Sequence, residues 1–143
     1  MRSLSLQALA DAVGRRGHAV LIDLQYGDTT AERSEFERRS GIRLQHWDEA
    51  LEAYDETAAL VCALDLVVSV CTSVVHLSGA LGRPVWVLTP AVPEWRYQRH
   101  GAAMPWYPSA RLFRQAAFGE WSLPLERVVA GLRVEFGSRV RRA

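Results

Sequence analysis

Residues Leu64 to Leu77 read Leu-Asp-Leu-Val-Val-Ser-Val-Cys-Thr-Ser-Val-Val-His-Leu and change period half-way. Leu66 to Val70 is a short apolar, β-branched run, the mark of a strand covered on both faces. From Thr72 the spacing becomes helical, with Val74, Leu77 and Leu81 on one stripe and Thr72, Ser73 and His76 near another. Gly82 stands where such a helix ends, and Arg83-Pro84 prevents its continuation. Val85 to Leu88 then reads as the next parallel strand. A buried strand that feeds a helix with hydroxylic first residues leaves backbone N–H groups and the positive dipole end facing outward, toward an anion.

The 143 residues suffice for one sizeable core. A composition of 49% hydrophobic and 23% charged residues is that of a globular chain. Net charge is +1, so no strong field draws nucleic acid or an anionic membrane. Every basic residue is Arg, which excludes a Walker-type phosphate loop and a catalytic Lys. Cys62 and Cys71 have no paired-ligand spacing, so no metal site is expected; the thiols suggest a reducing, cytoplasmic compartment. No apolar stretch approaches a membrane span, and the first five residues hold no signal core.

Along the chain, Leu6, Leu9, Ala10 and Val13 predict a first helix, ended by Gly14 and Gly17. Ala19 to Leu24 predicts a buried strand, Thr29 to Ser40 a solvated helix burying Ala31 and Phe36, and Ile42 to Leu44 an edge strand. Asp55 is the expected N-cap of a helix whose apolar face includes Cys62 in the core. Thr89 to Pro108 is a long loop rich in Pro and aromatics, of the kind that is often functional. A strand over Arg111 to Arg114 and a helix from Pro124 through Leu125, Val128, Val129 and Leu132 complete the domain. The boundaries are one domain over 1–137 and a basic tail over 138–143.

This alternation predicts an α/β fold with a Rossmann-like parallel sheet and flanking helices. In a doubly wound sheet the first strand is central. Here the chain opens on a helix, so the domain reads as one lacking that strand. Edges left without it would invite dimerisation.

Asp55 to Gln115 resembles the C-terminal half of family 9 glycosyltransferases, the lipopolysaccharide heptosyltransferase type, and looks closest to the form fused to tetratricopeptide-repeat proteins. The resemblance rests on Thr57-Ala58-Ala59-Leu60, Leu64-Asp65-Leu66-Val67, Thr72 with His76-Leu77, Gly79-Ala80-Leu81-Gly82, Pro84-Val85-Trp86, Pro93-Glu94-Trp95-Arg96, Pro105-Trp106-Tyr107-Pro108 and Arg111 to Gln115. It implies the donor-binding half of a GT-B enzyme, with a nucleotide-diphosphate sugar as substrate, no other cofactor, and an acceptor-binding N-terminal domain absent from these residues. The chain alone is then not expected to catalyse transfer. The family's Asp-Thr-Gly-x-x-His motif reads Cys71-Thr72-Ser73-Val74-Val75-His76 here, with Cys for Asp and Ser for Gly.

The donor-binding residues so implied are Gln25, Tyr26, Cys71, Thr72, Ser73, His76, Trp95 and Arg96, with His76 as a leaving-group stabiliser. Each has a structural alternative. Thr72 and Ser73 are candidate caps, His76 a core histidine, Tyr26 a turn residue, and Arg96 the partner of Glu94 in a loop salt bridge. Trp106 and Tyr107 are loop pins. Two further functional readings are a degenerate, non-catalytic nucleotide- or partner-binding module of the same fold, and a hydrolase with Cys71 as nucleophile and His76 as base.

Overall fold

The structure, a computed structural model, describes Ala8 and residues 19–137. The first predicted helix and the basic tail lie outside the described residues, Ala8 alone excepted; it is helical. The fold is mixed α/β with two parallel sheets and flanking helices.

The smaller sheet pairs β1 (Leu21–Ile22) with β2 (Leu44–Gln45) in parallel, Leu21 opposite Leu44. Between them runs α1 (Thr30–Ser40), closed by Gly41 in the left-handed conformation, φ 69°, which a residue without Cβ adopts freely. Phe36 is its buried residue and packs with Leu44, Leu21 and Ile42 in a small core of their own. Ala31, expected inside, is exposed. Both strands are shorter than the sequence predicts, and β2 begins two residues later.

A helix not foreseen, α2 (Asp48–Glu52), precedes α3 (Tyr54–Ala63), whose N-cap is Ala53. Asp55 therefore lies in the first turn, where its charge faces the positive dipole end without capping it. The buried Thr57 fastens the α2–α3 joint through its hydroxyl, which donates to the Ala50 carbonyl at 2.8 Å. Cys62, expected in the core, is exposed, because α3 buries Thr57 and Val61 instead.

The larger sheet has the order β3 (Val67–Val70), β4 (Val85–Thr89), β5 (Ala110–Arg114), all parallel. β4 is buried at every position, while β3 is buried at Val67 and only half-buried beyond. The burial on both faces expected of β3 thus fails, because β3 is an edge strand among the described residues, and it is β4 that is buried throughout. One face of the sheet carries α4 (Ser73–Ala80) over Val67, Val85, Val87 and Leu112. The other face carries α5 (Ser122–Phe136) over Trp86, Leu88 and Phe113. Gly131 of α5 lets the Trp86 ring approach so closely that a Cβ there would meet ring carbon Cη2 at 2.7 Å. Arg83 joins two turns by donating to the Leu64 carbonyl at 2.5 Å. Among the described residues no helix is long and apolar enough to cross a membrane.

α4 rolls slightly from its predicted stripe. Val75, Leu77, Ser78 and Gly79 face inward, Val74 is half-buried and Leu81 is exposed. Gly79 is the reason, since the Tyr107 side chain fills the space its Cβ would need. Ala is favoured over Gly within a helix by about 0.5–1 kcal/mol, yet Gly79→Ala is expected to destabilise the chain. Overpacking of this kind costs about 1–3 kcal/mol, and urea unfolding should show a lower midpoint with an unchanged slope.

Candidate functional site

The carboxyl ends of β3, β4 and β5 lead into the segments 71–72, 90–109 and 115–121, and the candidate site lies there. In open α/β sheets this end is where ligands bind. Thr72 is the N-cap of α4 by conformation (φ −128°, ψ 174°), but its side chain makes no cap hydrogen bond. The hydroxyl lies 2.9 Å from Ser69 Oγ and donates to the Val70 carbonyl at 3.4 Å. Its backbone carbonyl accepts the Val75 N–H at 3.2 Å. The threonine is thus turned back onto β3, away from the first-turn amides of Ser73 and Val74.

His76, one turn on, sits between two tyrosines. Its Nδ1 is 3.3 Å from the Tyr107 hydroxyl, and its ring centroid lies 5.7 Å from Tyr107 and 6.1 Å from Tyr97. Tyr97 is fully buried at the end of the 3₁₀ turn Trp95–Tyr97. Burial pushes its phenol well above the ordinary range, and the charge and hydrogen bond of Cys71 add to that rise. Cys71, half-buried at the end of β3, is therefore a partner of Tyr97.

Arg114, the last residue of β5, holds the long loop. Its Nε donates to the Gly101 carbonyl at 2.6 Å and its Nη1 to Gln98 O at 3.0 Å. Its Nη2 donates to Tyr97 O and to His100 O, the latter at 3.3 Å. Burial lowers the guanidinium from its ordinary value, while the Cys71 charge opposes that shift. One rigid fork thereby satisfies four carbonyls, a task Lys cannot perform. It also fixes Gln98 at φ 56°, a conformation that side-chain-bearing residues adopt rarely. Gln115 ties the neighbouring loops, its Oε1 accepting the Ala91 N–H at 3.1 Å.

The loop so held exposes Trp95 and Trp106, 69% and 56% accessible, in an edge-to-face pair with centroids 5.8 Å apart. Arg96 lies over the Trp95 ring at 5.0 Å and pairs with Glu94 at 3.2 Å, the loop salt bridge weighed for it. Of the two expected loop pins, Tyr107 is one and Trp106 is not.

The structure thus brings Cys71, Thr72, Ser73 and His76 to one place, with Trp95 and Arg96 on the turn that lowers Tyr97 onto it. Gln25 and Tyr26 belong to the other sheet. The Gln25 N–H donates to Asp23 Oδ1 at 3.0 Å, and Tyr26 is exposed. Asp23 itself escaped the sequence reading. It is buried, accepts the Thr29 hydroxyl at 2.9 Å, and lies 3.4 Å from His46 Nδ1. Its signal is a carboxylate inside the run Val20-Leu21-Ile22-Asp23-Leu24, a charge whose burial demands partners. Arg114, which the sequence places at the end of the last strand, has the role of holding the loop.

The chain is 35% identical over 119 residues to Protein FlbA of Caulobacter vibrioides, a match covering 80% of this chain and 19% of that protein. It therefore spans about a fifth of that relative's length. No family model matches the chain, and no solved structure matches it. These findings overturn the glycosyltransferase reading: the motifs quoted from Asp55 to Gln115 match no family model, and the relative's name carries neither sugar transfer nor nucleotide-sugar binding. The expected nucleotide-sugar substrate, the acceptor domain, the enzymatic assignment and the edge-to-edge dimer that accompanied it are withdrawn. The motifs have a physical use that explains why they stand in this order. Thr57, Gly79, Trp86, Tyr107 and Arg114 are the joints of the fold described above.

Arg114→Lys is expected to free the loop and cost about 0.5–1.5 kcal/mol, since most of the carbonyls it releases belong to exposed residues that water reaches. Trypsin should then cut after Arg96 and Arg99 several-fold faster, while sites in α5 should lag. The tyrosine supplies a pH test. Unfolded Tyr97 ionises near the ordinary value of about 10, whereas the folded phenol remains protonated above it. The unfolded state then binds fewer protons, so stability falls as pH rises past that value. In Tyr97→Phe that decline should lessen by one proton's slope, read from melts across alkaline pH.

Proposed function

We propose that residues 1–137 form one Rossmann-like recognition domain of a longer protein, with 138–143 as its tail, and that it acts by binding rather than by catalysis. The observation that carries this reading is the exposed Trp95–Trp106 pair, presented on a loop that Arg114 pre-orders. Aromatic and Arg side chains on a rigid support are the commonest hot spots of protein interfaces. Pre-ordering lowers the entropy cost of using them. The polar groups beneath, Cys71, His76, Tyr97 and Tyr107, are engaged with one another, which suits a support more than a reaction centre. The partner is a polypeptide that covers Trp95, Trp106 and Arg96. A photocrosslinking residue in place of Val92, which is 72% exposed, should capture one polypeptide in the cells that make this protein. Trp95→Ala together with Trp106→Ala should weaken capture about 30-fold, the equivalent of a 2 kcal/mol hot spot. Capture that ignores both substitutions would sink the proposal.

A second reading concerns Thr72, Ser73 and His76. Because Thr72 is turned onto Ser69, the first-turn amides of α4 are offered to an acceptor outside the helix, and a small anion fits them. Titration with inorganic phosphate should shift the Ser73 and Val74 amides saturably. Ser73→Pro removes a donor while respecting a first helical turn, and should abolish that shift with little change in melting temperature.

A further inference from the structure

The Trp95–Trp106 surface is rich in hydrogen-bond donors and short of acceptors. Both indoles are exposed and carry an N–H that can only donate, and the exposed guanidinium groups of Arg96 and Arg99 likewise only donate. The acceptors of the same loop are engaged inward. Arg114 gathers the carbonyls of Tyr97, Gln98, His100 and Gly101. The Glu94 carboxylate, the one acidic side chain between Pro90 and Ser109, is held by Arg96 at 3.2 Å. With those two charges paired, Arg99 leaves the loop with an excess of positive charge.

Shape adds a second constraint. The two rings stand at 88° with centroids 5.8 Å apart, so they present two faces at a right angle rather than one flat plate. Arg96, over the Trp95 ring at 5.0 Å, adds a cation beside them. A β-strand turns successive side chains to opposite faces and lays only every second one toward such a step. An α-helix keeps its carbonyls bonded internally and brings no backbone acceptors to these donors. A polyproline II segment meets both demands. With three residues per turn its consecutive side chains stand about 120° apart, so neighbouring residues can rest one on each ring. Its carbonyls have no partner within the segment, and each Pro removes an N–H for which this surface has no acceptor. Such a segment is also preformed, so docking orders little that was free before.

We propose that the occupant of the Trp95–Trp106 surface is an extended, proline-rich polypeptide segment flanked by acidic residues. Prolines stack on the two indoles, backbone carbonyls accept the indole N–H groups, and the acidic flank answers the positive excess at Arg99. This inference rests on the polypeptide-binding reading above and names the kind of polypeptide.

Nuclear magnetic resonance of the full chain tests it, because each indole N–H gives its own signal and Trp47, Trp86 and Trp121 serve as internal controls. The probe is the peptide acetyl-Pro-Pro-Leu-Pro-Pro-Glu-Glu-amide. It should shift the Trp95 and Trp106 indole signals together and saturably, and leave the three controls in place. The same peptide with Ala for every Pro keeps the charge and restores backbone donors, and should bind about 10-fold more weakly. Lys in place of both Glu should weaken binding about three-fold at low salt, a difference that salt removes. Trp106→Ala should weaken the parent peptide about 10-fold, with an unmoved Trp86 signal showing that the fold is kept. Arg99→Gln should erase the preference for Glu over Lys and retain the preference for Pro over Ala.

Equal binding of the Pro and Ala peptides overturns the proposal. So does a Lys peptide that binds as tightly as the parent at low salt, or an oligothymidylate that moves the two indoles where the peptide does not. If no peptide moves them while capture at Val92 still depends on both tryptophans, this inference falls and the polypeptide-binding reading stands. Capture that ignores the tryptophans overturns that broader reading, and this inference with it.

Discussion

Everything described here hangs on β4. Its residues, Val85 to Thr89, are the only described strand buried at every position, paired on both sides and covered on both faces. Four of its side chains divide strictly between the two cores, Val85 and Val87 under α4, Trp86 and Leu88 under α5. A strand so placed leaves its neighbours little freedom, because a one-residue slip would exchange the contents of the two cores. Burial of four such side chains is worth on the order of 1.5–3 kcal/mol each, which is the scale of a domain's entire net stability. The helices add specificity by shape. Gly131 admits Trp86 from one side, and Gly79 admits Tyr107 from the other.

From that strand the site follows by a short chain of dependence. β4 sets the register of β5, Thr89 opposite Arg114, and so aims the Arg114 guanidinium at the loop that leaves β4. The guanidinium gathers the carbonyls of Tyr97, Gln98, His100 and Gly101. Four backbone acceptors converging on one cation fold the loop inward at Tyr97, and the chain on either side must then carry Trp95 and Trp106 outward. Exposure of two tryptophans is costly in a chain that could bury them. Here it is the consequence of gathering the loop's carbonyls, that of the buried Tyr97 among them, on one guanidinium.

Much of the scaffold was legible in the residues. The change of period at Thr72, the Gly82-Arg83-Pro84 stop, the Gly41 cap and the apolar run at Val85 each have a local cause, and the structure shows each of those elements. What escaped depends on partners distant in sequence. The tilt of α4 is set by Tyr107, far along the chain, so the Val74 and Leu81 positions could not be read from α4's own spacing. Cys62 has the character of a core residue and is exposed because α3 turns Thr57 inward to fasten α2. Arg114 and Asp23 matter through backbone carbonyls and amides, which leave no pattern in the letters. The family resemblance misled for a related reason: its motifs, Thr57, Gly79-Ala80-Leu81-Gly82, Pro84-Val85-Trp86 and Arg114, are residues that make joints, and joints specify a scaffold without specifying what it binds.

The two sheets make the same distinction in physical terms. An α/β unit can lose a ligand and keep its fold, because the ligand lies beyond the strand ends. It cannot lose an interior strand without leaving two rows of amides and carbonyls facing apolar surroundings on both faces. Val68 and Val70 are half-buried where the equivalent positions of β4 are buried. β3 is thus an edge of its sheet among the described residues, and the opposite edge behaves differently. β5 is screened where the Leu112 N–H donates to the Ala102 carbonyl at 2.7 Å and Ala103 bridges Arg111. Screening by the chain's own loop keeps the β5 edge from offering its backbone to another strand.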